Sequence, residues 1–203
     1  KNTIADLLWL KQNGWTEAIR DHVAAGKPLL GICGGFQMLG YEIRDPHRTE
    51  SDVEETSGLG LLKINTSLAR EKITRQASAS FYASEQGPQF NGYEIHLGET
   101  VLGEDVQPLF RLQRHGDDEL RRDGAVGRDG RIWGTYLHGL FDSADGLRWI
   151  LNHWRGLLGK HEPHTTVLDP KSERERRYDA LADHFRQHMS LDLIYRALRE
   201  RRQ

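Results

Sequence analysis

The sequence contains a single cysteine among its 203 residues. One thiol cannot form an internal disulfide, and zinc sites built on cysteine pairs are excluded, so we expect a protein of the reducing cytoplasm. No apolar run approaches the roughly 20 residues of a membrane span, and no charged-then-apolar signal segment opens the chain. These absences disfavour secreted, disulfide-stabilised and membrane-spanning classes.

An excess of charge of one sign is also missing. The 28 Lys and Arg residues nearly balance the 30 Asp and Glu residues, which gives a net charge of −2. No basic field is available to hold a nucleic-acid backbone, so we expect no nucleic-acid partner. The length allows one substantial hydrophobic core. The chain opens on Lys1 in what reads as the middle of an element, which favours a fragment of a longer protein.

The clearest local pattern is a strand, a glycine-rich turn and a helix around Cys33. Lys27 to Ile32 is a short apolar run typical of a buried strand, and Phe36 to Leu39 starts a helix. In Gly31-Ile32-Cys33-Gly34-Gly35, small residues allow a strained turn with a nucleophile at its tip. The N–H of Gly34 would then point to where an oxyanion forms, and the helix N-terminus favours the thiolate. A buried structural cysteine is the alternative.

A thiolate nucleophile needs a base, and the sequence has ten histidines. His138 stands out because it closes a predicted strand from Arg131 to Leu137, rich in β-branched and aromatic residues. If that strand ends beside the first strand, imidazole and thiol meet. The alternative is an ordinary histidine at the rim of the sheet.

Gly92 to Gly98 predicts a strand that carries Glu94 and His96 on one face and Tyr93 on the other. The polar pair either lines a polar site or belongs to an exposed face. Spacing alone favours the exposed face.

Metal and nucleotide sites have little support in the sequence. His184 and His188 are one helical turn apart, but no third ligand lies nearby, so we expect a solvated face and no metal. Gly58-Leu59-Gly60 lacks the rest of a dinucleotide fingerprint, and no phosphate loop is present. This chain is therefore not predicted to bind ATP itself.

The remaining pattern predicts an α/β sheet with an antiparallel portion. Helices are predicted from Asn2 or Thr3 to Gly14, from a Thr16 cap to Gly26, over Asp145–Leu158, from Lys171 onward and after Ser190. Strands are predicted over Gly58–Ile64, Ile73–Tyr82 and Gly92–Glu99, with an exposed loop over Asp45–Ser57 and a loop or hairpin over Gly116–Gly130.

Five segments in this order resemble the class I (triad-type) glutamine amidotransferases, and among them the C-terminal domain of the cobyric acid synthase family. They are Lys1–Leu7, Gly31–Gly40, Gly58–Leu62, Tyr93–Gly98 and Gly134–Phe141. The similarity covers most of residues 1–155. It implies a flavodoxin-like domain over residues 1–160, a mixed sheet with helices on both faces that lacks its first strands, followed by a helical tail over 161–203.

The resemblance also implies a reaction. Cys33 would attack the side-chain amide of glutamine, and His138 would act as acid and base. The ammonia released would pass to a separate N-terminal synthetase domain, which uses ATP and magnesium to amidate carboxylates of a corrinoid precursor in cobalamin biosynthesis. No cofactor is expected in the present domain.

Further site residues follow from the resemblance. Gln37, one helical turn after Cys33, is expected to hold the substrate glutamine, together with Tyr93, Glu94 and His96. Leu140 stands where most triad enzymes have a glutamate two residues after the catalytic histidine. The resemblance thus implies a Cys–His dyad, with Glu94 as the candidate supporting carboxylate.

Two other functions stay open. One is a related dyad amidotransferase that acts on other carboxylates of cobyrinic acid or on a cell-wall lipid. The other is a non-catalytic interaction domain of the same fold. A cysteine peptidase or esterase could use a similar turn, but no specificity feature supports it.

Overall fold

The computed structural model describes residues 2–84, 87–127, 129–160 and 169–200. The helices are α1 (Thr3–Gln12), α2 (Trp15–Ala24), α3 (Gly34–Met38), α4 (Ala144–Leu157), α5 (Pro170–His188) and α6 (Leu191–Glu200). The strands are β1 (Leu29–Ile32), β2 (Glu42–Arg44), β3 (Glu55–Ser57), β4 (Ile64–Phe81), β5 (Phe90–Leu102), β6 (Phe110–Arg114), β7 (Leu120–Asp123), β8 (Ala125–Val126), β9 (Ile132–Thr135) and β10 (Leu137–His138).

A three-stranded sheet in the order β1-β9-β8 carries the cysteine turn. β1 and β9 run parallel, in register from Leu29 with Ile132 to Ile32 with Thr135. Side chains of β9 alternate between two cores, so helices α1 to α3 pack on one face and α4 on the other. The predicted mixed α/β architecture with helices on both faces is confirmed.

A second, seven-stranded sheet stands beside the first, where the sequence predicted one sheet. Its centre is the long antiparallel pair β4 and β5, whose register shifts between Ser67 and Lys72. β10 joins this sheet by pairing with β5, Leu137 opposite Glu94 and His138 opposite Tyr93. The chain therefore leaves the first sheet at Thr135 and enters the second within two residues.

Gly58–Ile64 does not form the predicted strand, and that prediction is wrong, since only its last residue, Ile64, is in a strand, as the start of β4. The segment is a loop whose backbone N–H groups at Leu59 and Gly60 donate to the carbonyls of Met38 and Gly40. Its leucines are apolar because the loop packs into the core, with Leu59 and Leu62 buried. A Cβ at Gly58 would lie 2.0 Å from the Gly40 carbonyl oxygen, which explains the glycine.

The acidic segment from Asp45 to Ser57 is also not the uniformly exposed loop predicted. Asp45 is fully buried, and its carboxylate accepts backbone N–H groups from Thr49, Glu50 and Ser51. These bonds fold the loop back on itself, and Glu55–Ser57 then pairs with β2. An aspartate can substitute for backbone partners in this way.

The helix predictions hold with one correction at a cap. Asn2 caps α1, since its side chain accepts the Ala5 N–H at 2.9 Å. Thr16 does not cap α2, which begins at Trp15 after Gly14 with φ 76°. The predicted helices at Asp145, Lys171 and Ser190 correspond to α4, α5 and α6.

The strand predictions at Ile73–Tyr82 and Gly92–Glu99 correspond to parts of β4 and β5. The predicted loop or hairpin over Gly116–Gly130 includes β7 and β8. Residues 161–168 and 201–203 of the predicted tail lie outside the described residues. None of the described helices combines the length and the apolar character that crossing a bilayer requires.

Candidate active site

Cys33 occupies the turn between β1 and α3 with φ 57° and ψ −114°. This backbone conformation is unfavourable for a residue with a side chain and costs on the order of 1–3 kcal/mol. A hydrogen bond from the Cys33 N–H to the Thr135 carbonyl, at 2.8 Å, holds the turn against β9. The strained turn predicted from the sequence is therefore present, at the end of a parallel strand pair.

Gly31 explains why small residues flank the cysteine. A Cβ at Gly31 would lie 2.7 Å from the carbonyl carbon and oxygen of Gly35, because the turn brings these two residues together. A Cβ at Gly35 would meet nothing within 4 Å. The steric requirement thus falls on the strand side of the turn.

His138 lies beside this turn because β9 is in parallel register with β1. Three residues after Thr135, the chain places His138 in β10, opposite Tyr93. The two rings stack with centroids 4.9 Å apart and planes within 6°. Cys33 and His138 line the same cleft, which has a volume of about 500 Å³. The structure therefore places both side chains in one cleft, and their roles as nucleophile and base stay predictions.

β5 forms the opposite wall of the site through its backbone carbonyls. The Cys33 Sγ donates to the Ile95 carbonyl at 3.2 Å. The Gln37 side-chain amide donates to the Leu97 carbonyl at 2.9 Å. Tyr93 of the same strand stacks on His138. Three alternate residues of β5, Tyr93, Ile95 and Leu97, therefore contact the residues of the site.

Gln37 is buried, and its side chain contacts three elements of the protein. Besides Leu97, its amide nitrogen donates to the Tyr136 hydroxyl at 3.1 Å, and its oxygen accepts from the Thr3 hydroxyl at 3.3 Å. These bonds connect α3 to α1, to β5 and to the segment between β9 and β10. Its role as a substrate contact stays a prediction.

Glu94 and His96 are buried, so the preference for an exposed polar face is wrong. Arg114 donates from Nε to the Glu94 carboxylate at 2.6 Å and from Nη2 at 3.2 Å, and His96 Nε2 lies 3.2 Å from it. Burial opposes ionisation of Glu94, but the bonds from His96 and Arg114 outweigh it and lower the pKa to about 2. The arginine that pairs with Glu94 comes from β6, and the roles of Glu94 and His96 toward substrate stay predictions.

His96 separates the cleft from a neighbouring cavity of about 660 Å³, since it lines both. Its ring stacks on Tyr136 at 3.8 Å, and its Nδ1 lies 3.0 Å from the Gly98 carbonyl. Burial raises the pKa of Tyr136 to about 12. These contacts make His96 a rigid part of the wall.

Asp123 supports the bend that leads to His138, and the sequence did not point to it. Its carboxylate accepts the Thr135 hydroxyl and, at 3.1 Å, the Tyr136 N–H. Burial raises its pKa to about 6 against these two bonds. It lies in the segment predicted as loop or hairpin, where no pattern marks a buried carboxylate.

Charged residues of the cleft were also missed. Asp6 and Glu50 line it from the side of α1, and Lys72 lines it from β4. Glu50 belongs to the segment predicted to be exposed, and only the fold of the Asp45 loop brings it to the site. No sequence signal distinguishes it from the neighbouring acids.

No group of three or more His, Cys, Asp or Glu side chains suited to a metal ion occurs in the described parts of the chain. His184 and His188 lie on an exposed face of α5, with ring centroids 4.5 Å apart and planes tilted by 46°.

A cysteine on a strained strand-to-helix turn, sharing a cleft with a histidine, defines a candidate Cys–His site on an α/β domain. The sequence model of the CobB/CobQ-like glutamine amidotransferase domain matches residues 1–146. The chain belongs to this family of glutamine amidotransferase domains, and the resemblance in its motifs is confirmed at that level.

Among curated proteins, the chain is similar to enzymes named cobyric acid synthase. The Photorhabdus laumondii protein is 39% identical over 211 residues, which covers 100% of this chain and 41% of that protein. The Moorella thermoacetica protein is 43% identical over 202 residues, covering 94% and 38%. The chain thus spans about two fifths of the length of the relatives it matches.

Two solved structures are also similar to this chain. The PurLQS structure from Thermotoga maritima matches with a TM-score of 0.47 and 21% identity, over 68% of this chain and 67% of that one. A glutamine amidotransferase from the same organism matches with a TM-score of 0.42 and 17% identity, over 86% and 66%. The family assignment rests on the sequence match.

Proposed function

We propose that this domain hydrolyses glutamine with Cys33 as nucleophile and His138 as acid and base, and that it supplies ammonia for amidation of corrinoid carboxylates in cobalamin biosynthesis. The observation that carries the proposal is the parallel register of β1 and β9, which brings both side chains to one cleft. The acceptor comes from the relatives, which are named cobyric acid synthase.

In the first half of the reaction, His138 takes the thiol proton and the Cys33 sulfur attacks the side-chain amide carbon of glutamine. The negative charge that develops on the amide oxygen is stabilised by the Gly34 N–H at the start of α3. The C–N bond then breaks as the imidazolium returns its proton to the leaving nitrogen. Ammonia departs, and a glutamyl thioester remains on Cys33.

In the second half, His138 accepts a proton from water as the water attacks the thioester carbonyl. The C–S bond breaks, glutamate leaves, and the thiol regains its proton. The balance is one water consumed for one ammonia and one glutamate formed. Neither half needs a metal or an organic cofactor at this site.

The rest of the proposal concerns the longer protein. ATP and magnesium would be bound by a synthetase domain outside this chain, which would activate the corrinoid carboxylates that ammonia attacks. A cytoplasmic setting fits a site that depends on a reduced thiol. His138 would work in a dyad, with its ring oriented by the Tyr93 stack.

The test uses the full-length enzyme and the change Cys33→Ser. Glutamine-dependent amidation of the corrinoid should fall by at least about 10³-fold, because the weaker oxygen nucleophile replaces the thiolate. Amidation with added ammonium should stay within about twofold of the unchanged enzyme. Glutamine-dependent activity that survives the change would refute the nucleophile assignment.

The acceptor is tested separately by offering the full-length enzyme cobyrinic acid derivatives and a cell-wall lipid precursor. Amidation of the corrinoid alone supports the proposed acceptor. Amidation of the lipid would refute the proposed acceptor and leave the proposed glutaminase reaction unchanged. Amidation of neither compound, with glutaminase activity intact, would have the same meaning.

A further inference from the structure

The cleft that holds Cys33 and His138 contains charges of both signs. Glu50 lines it near the start of α1, and Lys72 lines it from β4. Neither takes part in the bond-making steps described above. A cleft of this size that is lined by carboxylates and by an ammonium group is suited to a small substrate that carries both charges.

Glu50 is fixed in place by two sets of hydrogen bonds. The buried Asp45 carboxylate accepts the Glu50 N–H at 2.8 Å, which sets the loop. The Glu50 carboxylate in turn accepts the Thr3 N–H, also at 2.8 Å, at the first residue of α1. A half-buried carboxylate held in this way presents its charge at a defined point of the cleft.

Lys72 is placed by the irregularity in the β4–β5 pair. Regular pairing resumes at Lys72, which lies opposite Leu97. Leu97 is the residue whose carbonyl binds Gln37, two positions after the carbonyl that receives the Cys33 thiol. The cation therefore borders the stretch of β5 that forms the wall of the catalytic site.

Free glutamine carries an α-ammonium and an α-carboxylate at neutral pH, both attached to a carbon that is three carbon–carbon bonds from the amide carbon. Resting on the proposed glutaminase function, we propose that Glu50 binds the α-ammonium group and Lys72 the α-carboxylate of the substrate. The pair selects the free amino acid over amides that lack either charge. Discrimination of this kind is strong when a charged group would otherwise lose its partner.

Asp6 is the competing anion of the cleft, and the structure favours Glu50 over it. Asp6 lies exposed in the first turn of α1, as Lys72 does on β4, and no hydrogen bond that would fix its carboxylate is seen among the described residues. Glu50 is half-buried and anchored at both its backbone and its carboxylate. An Asp6→Asn change therefore keeps the substrate selectivity that Glu50→Gln removes.

The experiment measures kcat/KM for ammonia release by the full-length enzyme with three amides: glutamine, glutaramate without the α-amino group, and glutaminamide without the α-carboxylate charge. Glu50→Gln should lower the value for glutamine by about 10- to 100-fold and leave glutaramate unchanged. Lys72→Met should lower kcat/KM for glutamine by the same factor and leave kcat/KM for glutaminamide unchanged. Glu54→Gln and Arg75→Met, exposed neighbours on the same loop and strand that do not line the cleft, are the matched controls.

Each outcome decides between explanations. If Glu50→Gln lowers kcat/KM for glutamine and for glutaramate by the same factor, the residue supports the loop and does not bind the ammonium group. If Asp6→Asn abolishes the discrimination, the anion is misassigned. Wild-type enzyme that releases no ammonia from glutamine would refute the proposed function itself, whereas release without discrimination among the three amides would refute only this subsite.

Discussion

At the scale of single residues, the site is built from backbone groups that hold side chains in place. Cys33 takes a strained conformation and is bonded through its N–H to Thr135 and through its sulfur to Ile95. His138 is stacked on Tyr93. Cys33 and His138 are thus each positioned from a different sheet, so their relative placement depends on the contact between the two sheets.

The Glu94 carboxylate, which is bonded to Arg114 and His96, is expected to stabilise the fold in its ionised form. Its pKa is lowered from 4.5 to about 2, so its stabilising effect is fully present above about pH 4.5 and is lost as the pH falls through 2. Glu94→Gln should reduce the free energy of unfolding at pH 7 by about 3 kcal/mol, because the change leaves Arg114 and His96 without their carboxylate.

Urea unfolding of the full-length enzyme at pH 7 and at pH 3 measures this effect. The gap between wild type and Glu94→Gln should shrink at the lower pH. Glu99→Gln, an exposed carboxylate on the same strand, should change stability by less than about 0.5 kcal/mol. A gap that is equal at both pH values would show that the charge of Glu94 does not stabilise the fold.

At the scale of elements, the strand–turn–helix unit formed by β1, the Cys33 turn and α3 positions the cysteine. Its glycines are not equivalent, since a Cβ at Gly31 meets the Gly35 carbonyl at 2.7 Å whereas a Cβ at Gly35 meets nothing. Strand and helix can therefore approach each other only when the strand residue lacks a side chain.

We predict that Gly31→Ala destabilises the enzyme by about 1–3 kcal/mol and removes glutaminase activity, because the turn must open to accept the methyl group. Gly35→Ala should unfold at the same temperature as wild type or slightly above it, because the position is helical and has space. Thermal unfolding by circular dichroism, with ammonia release on the same samples, tests the pair. Equal destabilisation by both changes would mean that the close approach does not limit the turn.

The sequence predicts this element well because its information is local. An apolar run, a glycine frame and a helical start occur within about a dozen residues, and the strand that ends at His138 is marked by its own residue types. Glu50, Lys72 and Asp123 escape prediction for the opposite reason. Each reaches the site through contacts with segments distant in sequence, and an isolated charge on a loop or strand is usually solvated.

At the scale of the whole molecule, the two-residue step from β9 to β10 links the two sheets. β9 pairs in parallel with β1, the strand that precedes Cys33, and β10 belongs to the seven-stranded sheet that contains Tyr93 and Ile95. Sequence patterns predict strands here but not their division into two sheets, because the partner of a strand depends on register between distant segments. The length of β4 and β5 also depends on their pairing with each other, which sequence patterns do not predict.

The central claim is that Cys33 is a nucleophile activated by His138. The most direct measurement is covalent labelling of the full-length enzyme with a diazoketone analogue of glutamine, followed by peptide mass spectrometry. We predict one adduct per chain, on Cys33, and a labelling rate about 10²- to 10⁴-fold lower in His138→Asn that retains the wild-type circular dichroism spectrum. An unlabelled Cys33, or labelling at the same rate in both proteins, would contradict it.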